Sequence, residues 1–135
     1  MLDHLRQKAA QALASARFVI LSSYGPADIQ SSRVPCTSQD LTLYVFIPHT
    51  SDHLLNLEHR PGVVAATEEW DLNGTARVLN RNEIPMGIQP AEDHADPNWP
   101  VSSATSAWGC VVEIQPTRLT VHAPNGQGNL ETIDF

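Results

Sequence analysis

Positive charge is scarce in this chain: 8 Lys and Arg stand against 15 Asp and Glu, for a formal net charge of -7. Nucleic acid and anionic membrane surfaces both call for a basic face, so neither is an expected partner. Cysteine is almost as rare. Cys36 and Cys110 suggest neither a disulfide nor a C-x-x-C site, and both lie in strand-like runs, RVPC and WGCVVEI, where a free cysteine usually serves as a small apolar residue. No apolar run approaches the roughly 20 residues of a membrane span. The stretch MLDHLRQKAAQALASARF carries charges throughout instead of a basic start followed by an apolar core, so a cytoplasmic protein is expected. Recognisable catalytic signatures are missing too: there is no H-E-x-x-H, no G-x-S-x-G and no cysteine flanked by recognisable partners.

What is present is patterning over 135 residues, the size of a single domain. Residues 3 to 16 place Leu5, Ala9, Ala12, Leu13 and Ala16 at helical spacing and predict one amphipathic helix. The period then changes. RFVILSSY, ADIQSSRVPC and LTLYVFI read as strands, and PHTSDHLLNLEHRPG reads as a loop opening into a short helix. Ser51 is its N-cap, Leu54, Leu55 and Leu57 form its apolar side, and Pro61-Gly62 ends it. GVVAATEEW and LNGTARVL follow as a strand pair turning around Asp71 to Asn73. WGCVVEIQP and RLTVHAP form two more strands joined by a tight turn near Pro116-Thr117, and Asn125-Gly126 marks a turn before NLETIDF. Residues 81 to 107, with four prolines and little periodicity, read as a long loop that is either an insertion or a cover over a site. Seven or eight short strands with two helices imply a mainly β fold, a closed or partly closed antiparallel barrel.

Several residues could carry chemistry. His49 and His53 are spaced H-x-x-x-H, with Asp52 between them and His59 beyond, but His49 precedes the cap and His59 falls on another helical face. No metal site is expected. Glu92, Asp93, His94 and Asp96 read as a solvated loop tip. Gly74 inside a strand pattern marks either a bulge or a close backbone approach. Arg33 offers a fork for phosphate on a strand otherwise free of positive charge, or simply faces solvent. The start of the Ser51 helix, with its exposed N–H groups, suits an anion.

The order of these features is more specific than any one of them. Helix, strand, R-x-V strand, apolar strand, a Ser-x-x-L-x-N-L helix ending at R-P-G, a strand pair with G-x-A, then WGCVVEIQPTRLTV and ETIDF, resembles the pyridoxamine 5'-phosphate oxidase-like, FMN-binding split-barrel family. The resemblance implies a six-stranded split barrel, a homodimer with an interface helped by LYVFI and GVVAA, and FMN held between the subunits. It also implies a two-electron oxidoreductase acting on a small molecule. Arg33 corresponds to the strand arginine that reaches the FMN phosphate, and Ser51 to the Ser/Thr at the cofactor-binding helix start. The backbone of Ile47, Pro48 and His49 would pass near the flavin ring. Where flavin-binding members typically carry a basic pair after that serine, this chain has Asp52 and His53. The exchange removes several kcal/mol from phosphate binding. It predicts weak or absent FMN retention, and with it a second reading, a non-catalytic split-barrel binding or interaction protein.

Overall fold

A computed structural model describes residues 2–26, 28–88, 109–122 and 131–135. The amphipathic stretch forms helix α1 (Leu2–Ala14), followed by β1 (Phe18–Ser23), β2 (Gln30–Gln39) and β3 (Thr42–Pro48). Helix α2 (Asp52–His59) leads into β4 (Gly62–Ala66) and β5 (Trp70–Val78), a single 3-10 turn covers Arg81–Glu83, and β6 (Gly109–Val121) and β7 (Glu131–Asp134) complete the chain. Every pairing is antiparallel. The strand order is β3-β2-β1-β4-β5-β6-β7, and a further β3–β6 pairing closes the first six strands into a barrel. Closure removes the edges of those six strands that would otherwise invite pairing with other chains, and β7 stands as the outer strand beside β6. β6 makes it possible by its length of 13 residues: its first half pairs with β3, from Pro48↔Gly109 to Leu43↔Ile114, and its second half pairs with β7.

That strand corrects the two-strand reading around Pro116-Thr117. The chain passes through them without turning, because Thr117 is the extra residue of a β-bulge: Asn73 pairs with Arg118 and Gly74 with Pro116. A bulge tolerates a proline, whose missing N–H is not needed by the ladder there. Gly74 shows both readings at once. It sits at the bulge, and a Cβ built on it would lie 2.7 Å from Ile114 Cγ2 and 2.8 Å from the Gln115 carbonyl oxygen. Backbone cannot yield as a side-chain tip can, so Gly74→Ala is expected to destabilise the fold by about 2 kcal/mol, measured by urea denaturation.

The β4–β5 turn also lies earlier than expected, at Thr67 to Glu69 rather than Asp71 to Asn73. Thr67 Oγ1 accepts from the N–H groups of Glu69 and Trp70, both at 3.1 Å. Trp70 then enters the core at 1% exposure, with its indole N–H donating to the Ala12 carbonyl of α1 at 3.0 Å.

Val19, Leu21, Val34, Leu43, Val45, Ile47, Leu72, Val112 and Ile114 fill the barrel, and Ala9 and Leu13 of α1 join that core. Strand alternation sends Tyr44 and Phe46 to the outside, yet they are buried there with Leu79 and Val111. Ile84 and Ile88 pack on this second cluster, so the opening of the expected long loop is a roof; its remainder, with Glu92, Asp93, His94 and Asp96, lies outside the described residues, as does Asn125-Gly126. LYVFI is thus covered by its own chain and offers no flank to a second subunit. Among the described residues no helix is long and apolar enough to cross a membrane.

Candidate functional site

β3 leaves the barrel at Pro48 and turns at once: the Ser51 N–H donates to the Pro48 carbonyl at 3.0 Å. Ser51 then caps α2 from an extended conformation (φ -74°, ψ 138°), its hydroxyl oxygen accepting from the His53 N–H at 3.2 Å. The cap uses an acceptor lone pair and leaves the hydroxyl proton available to a ligand. Asp52 occupies the first turn, where its charge complements the helix dipole. No Lys or Arg occurs between Ile47 and His59.

The inner face of α2 keeps Leu54 and Leu57 of the leucine side that the spacing suggested, both packed on the core, but adds polar residues to it. His53, Asn56 and Leu57 are its buried residues, whereas Leu55 is 44% exposed. His53 is 2% exposed and engages both ring nitrogens, Nδ1 with Ser23 Oγ at 2.6 Å and Nε2 with Ser32 Oγ at 3.1 Å. Asn56 Nδ2 donates to Ser23 Oγ at 3.2 Å and to the Asp28 carbonyl at 3.0 Å. The inventory of donors assigns the tautomer. Ser23 is fully buried, and His53 Nδ1 is the acceptor its O–H has among the described residues, so that O–H donates to Nδ1 and His53 Nε2–H donates to Ser32. Burial lowers the His53 pKa, with the neighbouring Asp52 carboxylate opposing. Gly25 completes this packing, since a Cβ there would lie 2.9 Å from Asn56 Oδ1.

The seven candidate residues therefore separate. Pro48, His49, Ser51 and Asp52 share the exit from β3 into α2. Ile47 contributes only backbone, its side chain being fully buried in the barrel. His53 points into the protein, away from the exposed His49, so the H-x-x-x-H pair does not converge. Arg33 lies opposite Ile20 in the β1–β2 ladder and leans over the Phe18 ring, 3.8 Å from its centroid. Its neighbour Ser32 meets His53, and adjacent strand residues leave opposite faces. Arg33 thus borders an outer groove of about 640 Å³ with Phe18, Ile20, Ala66, Glu68 and Glu69, and does not converge with the α2 start. Other arginines are engaged elsewhere: Arg77 with Glu83 and Glu113, and Arg118 with Asp134.

Ser23 and Ser32 escaped the sequence reading, and Asn56 entered it only as the Asn of the Ser-x-x-L-x-N-L helix, without a role; its place three residues after His53 was the available signal. Cys110 escaped as well. Its Sγ lies 3.2 Å from His49 Nδ1, a partner 61 residues away in sequence.

No family model and no curated protein matches the chain. Solved structures do. General stress protein 26 from Bacillus anthracis is 18% identical with a TM-score of 0.64, covering 98% of this chain and 99% of its own. A Clostridium acetobutylicum protein related to general stress protein 26, of the pyridoxinephosphate oxidase family, is 7% identical with a TM-score of 0.67 over 98% and 96%. The fold is the pyridoxamine 5'-phosphate oxidase-like split barrel. A candidate pyridoxamine 5'-phosphate oxidase from Listeria innocua shares this split barrel at 13% identity and a TM-score of 0.58, over 87% of this chain and 97% of its own. The architecture expected from the resemblance, with an N-terminal helix and short accessory helices around an antiparallel barrel, is the one observed.

Proposed function

We propose that this split barrel is an FMN-binding oxidoreductase of the pyridoxamine 5'-phosphate oxidase-like kind that holds its flavin in exchange with solvent and not as a retained prosthetic group. The observation that carries the reading is the Ser51-capped start of α2, opening directly from β3 in a barrel of this type. The donor there, the Ser51 hydroxyl proton, suits a neutral oxygen of a ligand, the His53 and Leu54 N–H groups being already bonded to Ser51. The phosphate dianion fits poorly: Asp52 stands beside it, His53 is turned inward, and Arg33 is on the far face of β2. A bound flavin would supply the two-electron chemistry, and the chain's own residues would bind and orient it.

The test is the visible spectrum of the purified protein before and after FMN is added. Little flavin on purification and a perturbed flavin spectrum on addition are expected. No perturbation at millimolar FMN would instead support the second reading, a split-barrel binding protein without flavin, which Asp52 and the inward-turned His53 favour.

The proposal includes a homodimer. Its interface would use the outer face of β1 and β4, where Phe18, Val64 and Ala66 are half-buried and Ile20 is 44% exposed, in place of LYVFI. Light scattering at micromolar concentration should report twice the 14.8 kDa of the chain; a monomer would remove the shared site.

A further inference from the structure

The two cysteines occupy opposite environments. Cys36 is 3% exposed, its Sγ–H donates to the Ala16 carbonyl at 3.6 Å, and burial pushes its pKa up to about 12. Cys110 is half-buried at the end of the β3–β6 ladder, opposite Ile47, with His49 Nδ1 within hydrogen-bond reach of its sulfur. His49 is exposed, so its ring is open to solvent. A nucleophile on β6 and a base one residue past the end of β3 are a working arrangement for attack on an electrophile. Burial raises the Cys110 pKa as well, so the resting group is a thiol, and a base that takes its proton during attack matters more than it would for a ready thiolate.

We propose that Cys110 and His49 form a thiol–imidazole pair that exchanges with small disulfides, making Cys110 the S-thiolation site of this protein. The Sγ–H proton passes to His49 Nδ1 as the sulfur attacks one sulfur of R–S–S–R. The Cys110–S–R bond forms, the R–S–S–R bond breaks, and the departing thiolate recovers the proton, so one small disulfide is consumed and one small thiol released. Cys36 provides an internal comparison of the same chemistry without a base or access. The inference does not depend on the flavin reading, although His49 lies at the same exit from β3.

The neutral probe 4,4'-dithiodipyridine, added to the native full chain at pH 7, tests it through release of its chromophoric thiol. One fast equivalent is expected in wild type, located on Cys110 by peptide mass mapping and absent in Cys110→Ser. His49→Gln should slow that phase by about tenfold or more, with an unchanged unfolding midpoint and with both cysteines reacting as in wild type in denaturant. An unaltered rate in His49→Gln, equal labelling of both cysteines, or no reaction without denaturant would each overturn the proposal.

Discussion

Replacing His53 by alanine is expected to lower the unfolding free energy by about 3 kcal/mol and to abolish most of a stability loss that the wild type shows on acidification. The magnitude follows from what the ring does. It is 2% exposed, and its removal opens a cavity while leaving the fully buried Ser23 hydroxyl without the acceptor it has among the described residues. The pH dependence follows from the tautomer. A protonated His53 has two N–H donors, so Ser23 would have to accept from His53 as well as Asn56, and its buried O–H would lose its acceptor. Burial accordingly holds the folded-state pKa below the ordinary imidazole value of 6.5. Between those two values the unfolded chain carries a proton that the folded chain lacks, so stability falls as pH drops through this window and levels off below the folded-state value. His122 acts with the opposite sign: its hydrogen bond to Asp71 raises its pKa, giving a contribution present in acid and lost as pH rises. That contribution is common to both proteins and cancels in their difference. Urea denaturation of wild type and His53→Ala at several values between about pH 7 and pH 5 makes the measurement. Parallel pH profiles would show that another group titrates.

The contrast between Ser51 and His53 explains how much of this protein was legible in its sequence. Ser51 could be read because capping is local: the cap, its helix and its terminating Pro61 all lie within a dozen residues, and the side chain bonds only two positions away. The helices and most strands share that property, their periods being written in consecutive residues. His53 could not be read, because its partners Ser23 and Ser32 come from strands 30 and 21 residues away. Arg33 stands between these cases. Its identity and strand were plain, but the face it takes depends on pairing with Ile20, which no single segment records. Pro116 misled for the opposite reason: proline is a reliable local punctuation mark, and here a bulge opposite Asn73 and Gly74 accommodates it inside a long strand. The same bulge settled Gly74, whose two readings were alternatives only as long as the neighbouring strand was missing.

Asp52→Arg is expected to tighten FMN binding at least tenfold relative to wild type. Asp52 places a negative charge in the first turn of α2, at the point where a phosphate would meet the positive end of the helix dipole and the Ser51 hydroxyl. Removing an exposed like charge is worth about 1 kcal/mol, and a charged donor in its place about 1.5 kcal/mol more, together more than a factor of ten. The gain should shrink with added salt, as exposed charge pairs are screened over a distance of about 10 Å at 0.1 M. The substitution also exchanges a favourable helix-dipole interaction for an unfavourable one, a cost of roughly 0.3–1 kcal/mol to the fold, so titrations belong well below the unfolding transition. Arg33→Ala supplies the counterpart. With its guanidinium over Phe18 on the outer face of β2, it is expected to leave FMN affinity within about twofold of wild type if the phosphate sits at α2. Flavin fluorescence titrations of the three proteins separate the outcomes: an affinity that ignores Asp52→Arg but falls in Arg33→Ala would move the phosphate to the groove beside Phe18 and Ile20. The start of α2 would then be a capped helix with a stabilising aspartate, and nothing more.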